Sequence, residues 1–129
     1  MNDKDPINSQ KLEKLKEVLN EMKFKANLGG ILFANRNGDI IAYNIKEISE
    51  IEKMSSMCAS VLESAEEMGK ILNDKQINKI IAELDDKAIM LIKCNDKTFL
   101  TLIIENFSKI ELKTKNKTYP AGKDINQRP

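Results

Sequence analysis

The sequence predicts an α+β domain of two helices and five strands, and three features carry that prediction. Leucines and a methionine recur at helical spacing near the start, an Asn-Gly turn separates two short apolar runs, and three β-branched segments follow a long second helical stretch. With 129 residues, of which 41% are apolar, one hydrophobic core is enough to hold such a domain together.

The first element follows from Leu12, Leu15, Leu19 and Met22, spaced three or four apart with Lys and Glu between them. That spacing makes one apolar face on a helix. Ser9 is its expected N-cap and Lys25 its expected end. Asn27 to Gly30 then breaks the period, and the adjacent glycines are expected to supply the positive φ of a tight exit.

Ile31 to Ala34 and Ile40 to Asn44 are apolar runs flanking Asn35 to Asp39, with Asn37-Gly38 at the centre of a hairpin turn. Ser49-Glu50-Ile51-Glu52 fits a capping box, in which the Ser and Glu side chains satisfy exposed helical N–H groups. A second helix should run from there to about Leu72. Its apolar stripe is Ile51, Met54, Met57, Cys58, Val61, Leu62, Ala65, Met68 and Leu72, while Ser55, Ser56, Ala59, Ser60, Ser64 and Gly69 keep the remaining surface small. Methionine adapts to irregular surfaces and also fills core gaps, so the stripe fits either a partner or the chain's own core.

Asn73-Asp74-Lys75 closes that helix. Strands are expected over Ile77 to Leu84, Lys87 to Lys93 and Thr98 to Glu105, broken by Asp85-Asp86 and Asn95-Asp96-Lys97. Beyond Phe107, Ile110 and Leu112 could extend an edge strand. Lys113 to Pro129 is polar and contains Pro120-Ala121-Gly122, as expected of an extended tail. The organisation is one domain over residues 1–107 and a polar C-terminal extension over 108–129.

Composition narrows the function. Twenty-one Lys+Arg against twenty Asp+Glu give a net charge of +1, too little to draw in nucleic acid or anionic lipid. There is no His, which removes the commonest general base and metal ligand together. No phosphate-cradling glycine motif occurs around Gly29-Gly30. The acidic pairs Glu66-Glu67 and Asp85-Asp86 are expected on solvated surface. Lys113, Lys115 and Lys117 could grip an acidic partner, but they also suit a solubilising tail. Cys58 and Cys94 lie 36 residues apart without a CxxC pairing, as expected of free thiols in a reducing, cytoplasmic setting. Met1 to Ser9 lacks the apolar stretch of a signal peptide, and the longest apolar run, Ala88 to Ile92, is far short of a membrane span. The Asn106 and Asn116 glycosylation patterns are therefore expected to stay unused.

The order helix, hairpin, long helix, three-stranded meander resembles the roadblock/dynein light chain family over roughly Leu12 to Glu105. The most telling stretch is Leu28-Gly29-Gly30-Ile31-Leu32-Phe33-Ala34-Asn35-Arg36-Asn37-Gly38-Asp39-Ile40-Ile41-Ala42, similar to the family's Gly, apolar strand, D-R-x-G-like turn and apolar strand. Asn35 stands where the family often has Asp. Many members also carry a third helix, whereas Ser108 to Tyr119 alternates like a strand.

The resemblance implies a roadblock, profilin-like sandwich: a five-stranded antiparallel sheet between the long second helix and the N-terminal helix. It also implies a homodimer, or a heterodimer with a paralogue, in which second helices pack and third strands pair. Carried onto this chain, Met54, Met57, Cys58, Val61 and Met68 would face the partner helix. Ile77, Lys79 and Ile81 would lie along the strand junction. The function implied is a non-enzymatic module that binds and regulates or scaffolds a small Ras-like GTPase, without cofactor or metal. Arg36 in a hairpin turn and Arg128 in the tail give no assignable arginine finger. An alternative is a small-ligand sensor, since profilin-like and PAS-like folds share such a sheet. It would need a sizeable pocket with polar groups inside.

Overall fold

The computed structural model describes residues 9–46 and 48–106. The elements are α1 (Ser9–Lys25), β1 (Gly30–Asn35), β2 (Ile40–Asn44), α2 (Ile51–Ile71), β3 (Lys79–Glu83), β4 (Lys87–Lys93) and β5 (Thr98–Glu105). The five strands form one antiparallel sheet in the order β2-β1-β5-β4-β3. The last strand therefore lies at the centre, and β2 and β3 form the two edges.

Alternation along the central strands divides the sheet into two apolar faces. On one, Leu32 and Ala34 of β1, Leu91 of β4, and Phe99 and Ile103 of β5 pack with Cys58, Ala59 and Leu62 of α2. On the other, Ile31, Phe33, Ala42, Leu100 and Leu102 pack with Leu12, Leu15 and Leu19 of α1. The helices thus cover opposite faces, as expected of the sandwich. Polar contacts pin α1 to the β2 edge: Lys23 Nζ donates to Asn44 Oδ1 at 3.2 Å, and Asn44 Nδ2 donates to Asn20 Oδ1 at 2.7 Å.

The exit from α1 differs from expectation. Asn27, not a glycine, takes the left-handed conformation at φ 55°, and Leu28 N–H closes the helix on Lys23 O at 2.9 Å. Asn tolerates that conformation because its short polar side chain can bond locally. Gly30 instead allows close approach, since a Cβ there would sit 2.7 Å from Ile45 Cγ1.

The hairpin forms as predicted, with Gly38 at φ 96° and Asn35 N–H bonded to Asp39 O at 2.8 Å. The register shifts between Phe33 and Ala34, paired with Ala42 and Ile40, so that Ile41 is the extra residue on the β2 side. The capping box does not form. Helix α2 starts one residue later than that motif requires, and its N-cap is Glu50, with no side-chain cap. Ser49 then lies outside the cap, too far back to reach the first free N–H groups.

At the other end of α2, Asn73 and Asp74 both have positive φ, and Lys75 N–H returns to Gly69 O at 2.8 Å. Strand β3 is shorter than predicted. Ile77 lies before it and packs half-buried against the α2-side core. Strands β4 and β5 have the predicted bounds, and Asn95 holds the turn between them by accepting from Lys97 N and Thr98 N at 2.7 and 2.9 Å. The expected edge extension at Ile110 and Leu112, and the tail from Lys113, lie outside the described residues.

Candidate interaction site

Apolar side chains left exposed by the fold collect along α2 and at β3. Met57 is 59% exposed, Val61 48%, Met68 57% and Ile71 80%. Together with Met54 and Ser64 these occupy positions 54, 57, 61, 64, 68 and 71, the alternating three- and four-residue spacing of a helix-pairing seam. A helix needs only one apolar stripe to fold against a sheet. Here the buried stripe is Ser55, Cys58, Ala59, Leu62, Ala65 and Gly69, so the seam is a second one.

Between this seam and the β3 edge runs an open apolar groove of about 520 Å³, lined among others by Met54, Met57, Val61, Ile80, Ile89 and Leu91. Its charged lining, Glu50 and Lys53, comes from the start of α2 and the residue before it. β3 itself is a terminal strand; Ile81 on it is 42% accessible, and Leu84, just past its end, is 49% accessible.

Of the residues expected at a partner, Met57, Val61 and Met68 are therefore exposed in one row, Met54 is half-buried at the groove, and Lys79 and Ile81 lie on the edge strand. Cys58 does not face outward. It is 8% exposed and belongs to the core under α2, where burial pushes its thiol up from the usual range. Ile77, too, is on the core side and not on the strand. Ser64 and Ile71 stand outside the expected set but are exposed in the same row, at the spacing set by the seven-residue repeat through Met54, Val61 and Met68.

A second cluster involves Arg36 from the hairpin turn, Glu66 on α2 and Lys93 at the end of β4. Arg36 Nη2 donates to Glu66 Oε1, and Lys93 Nζ pairs with Glu66 Oε2 at 3.1 Å. These side chains are only 20–23% exposed, so Glu66 is not the solvated surface acid expected of it. Burial alone would raise its carboxyl, but the bonds and charges of Lys93 and Arg36 outweigh that and hold it below the ordinary value. The arrangement ties the turn, the helix and the sheet together. It also engages Arg36 within its own chain.

Among the described residues, no group of three or more His, Cys, Asp and Glu side chains is placed to hold a metal, and no helix is long and apolar enough to cross a membrane. Cys58 and Cys94 are both free thiols.

The Roadblock/LC7 domain model matches residues 14–104. No curated protein sequence gives a significant match. Among solved structures, MglB of Myxococcus xanthus aligns with a TM-score of 0.71 at 14% identity, covering 90% of this chain and 86% of that one. The gliding protein MglB from Thermus thermophilus aligns at 0.73 with 14% identity, covering 90% and 91%. A Roadblock/LC7 domain from Streptomyces avermitilis aligns at 0.57 with 10% identity, covering 62% and 68%. At these identities the likeness is one of fold.

Proposed function

Because the chain belongs to the Roadblock/LC7 domain family, we propose that it is a non-enzymatic, dimeric interaction module that docks a small Ras-like GTPase in the cytoplasm, as a regulator or scaffold. The observation that carries the dimer is the exposed seam Met54, Met57, Val61, Met68 and Ile71 beside an open edge strand. An apolar row and a row of unpaired backbone groups are both hazards for a lone domain, and pairing with a like surface covers both at once. The GTPase partner rests on family membership, together with the likeness in fold to MglB.

Arg36 bears on what the module does to that partner. An arginine that accelerates phosphoryl transfer must reach the partner's phosphates. Arg36 is spent on Glu66 and is largely covered, which supports docking over direct activation. The alternative ligand-sensor reading has a place, since the groove is of ligand size, but its lining offers few polar groups to orient a small molecule.

Size-exclusion chromatography with light scattering on the full chain, at high micromolar concentration, tests the platform. A dimer is expected, and a strict monomer would overturn it. For the GTPase, pull-down of Ras-like proteins in both nucleotide states should recover a complex. Stimulated GTP hydrolysis that disappeared in Arg36→Ala would overturn docking in favour of activation.

A further inference from the structure

Helix α1 covers only part of its face of the sheet. It packs with residues of β1 and β2 and with Leu100 and Leu102 of β5. Cross-strand partners share a face, so Met90 and Ile92 of β4 stand beside Leu102 and Leu100, Ala88 stands beside Ile104, and Ile81 of β3 stands beside Met90. Met90, Ile92 and Ile104 are half-buried and belong to neither helix's core, and Ile81 is 42% exposed. Ala88 is fully buried on this face and yet also belongs to neither core.

Where α1 stops, an apolar groove of about 430 Å³ opens, lined among others by Val18, Met22, Leu28 and Leu102. Its charges, Glu21 and Lys25, pair with each other at 3.1 Å, so the groove calls for an apolar occupant. The chain itself is delivered to this place. β5 ends at Glu105, opposite Lys87 at the start of β4, and Gly29, next to Leu28, lies so close that a Cβ on it would clash with the Glu105 side chain. Asn106 then has φ 58°, a left-handed conformation that takes the chain out of the line of the strand. Residues 107–129 follow, and Phe107, Ile110 and Leu112 are the large apolar side chains that come first.

We infer that the segment from Phe107 to Leu112 folds back over the α1 side of the sheet and docks its apolar side chains on Leu102, Ile104 and Met90, beside the α1 groove. Strands lie about 4.8 Å apart, so the way from β5 across β4 to β3 is roughly 10 Å, and six extended residues reach about 20 Å. Tethering sets the segment at an effective concentration in the millimolar range, well above that of any separate partner for the same surface. Ile110 and Leu112 share one side of an extended segment, and Lys113, Lys115 and Lys117 share the other, so the docked chain keeps its lysines in water. Docking closes the second apolar face of the sheet and leaves the α2 side for a partner. It does not depend on the dimer or on the GTPase.

The sequence contains no Trp, so Phe107→Trp in the full chain supplies a single indole reporter. Its emission should be blue-shifted and shielded from acrylamide. Adding Met90→Glu on the sheet, or Leu112→Glu on the segment, should red-shift the emission and open the indole to quencher while circular dichroism stays unchanged. In the unsubstituted chain, hydrogen exchange of the amides from Phe107 to Leu112 should be roughly tenfold or more slower than in an unfolded chain. An indole as accessible as free tryptophan, together with unprotected amides, overturns the inference. So does shielding that neither Met90→Glu nor Leu112→Glu disturbs, since the segment would then lie elsewhere. Shielding that appears only as protein concentration rises overturns it in favour of a second copy as the occupant.

Discussion

Ser55, fully buried on the inner side of α2, donates a 2.7 Å hydrogen bond from its hydroxyl to the carbonyl of Gly38 at the tip of the first hairpin. The bond joins the hairpin turn to α2 beside the Arg36–Glu66 pair. Ser55→Ala leaves that carbonyl without its partner, at a cost of about 1–3 kcal/mol. Gly38→Ala acts on the same junction by strain, because φ is 96° and the new Cβ would lie 2.9 Å from Ser56 Cα. Urea unfolding should show both variants destabilised. Wild-type midpoints would mean that the turn can move away from α2 without penalty.

Glu66 gives the fold a pH dependence whose sign can be worked out. Its carboxyl is held below the ordinary value in the folded state by Lys93 and Arg36, against the effect of burial. The unfolded chain therefore binds the proton more readily. The stabilisation is complete above the unfolded carboxyl range and is lost as pH falls through the folded value. At pH 7, Glu66→Gln should cost about 1–3 kcal/mol by leaving two cations facing a neutral amide. Below about pH 4.5 the gap between variant and wild type should narrow. A gap that is constant from pH 7 to pH 3 would show that the carboxylate charge is not what holds the cluster.

The contrast between these two contacts marks what sequence could reveal. Periods of 2 and 3.6, the Asn37-Gly38 turn and the Asn95 turn are local, so the seven elements and the bounds of β4 and β5 are legible from neighbouring residues. The capping box at Ser49 and the glycine exit after α1 were wrong for a local reason: more than one residue can serve each role, and Glu50 and Asn27 serve them here. The Arg36–Glu66 pair spans thirty positions and has no motif, so Glu66 reads as a surface acid until the hairpin is folded beside α2. The burial of Cys58 was hidden for another reason. That residue borders both apolar stripes of α2, and only the angle at which the helix sits on the sheet decides that Cys58 turns inward while Met57 and Val61 turn out.

That inward turn makes the two thiols chemically distinct. Cys94 is exposed after β4, whereas Cys58 is 8% exposed. Burial raises both thiols above the usual range, so neither is a ready nucleophile at neutral pH. With a disulfide reagent at pH 8 the native protein should label at Cys94 first. Cys58 should react only as fast as the core opens. Prompt labelling of Cys58 in the native protein, followed by mass spectrometry, would contradict its place under α2.

Adjacent residues on α2 separate folding from association. Val61 is 48% exposed on the outer seam, while Leu62, next to it, is fully buried against the sheet. Leu62→Ala should open a cavity and cost about 2–5 kcal/mol whatever the oligomeric state. Val61→Glu places its charge in water in a lone domain but buries it between paired helices in a dimer. Light scattering should therefore find Val61→Glu monomeric, with helix and strand content unchanged by circular dichroism. Its apparent stability should then be independent of protein concentration, whereas that of the wild type should rise with concentration through dimer formation. If Val61→Glu remains dimeric, the helix seam is not the interface, and the copies meet elsewhere on the molecule.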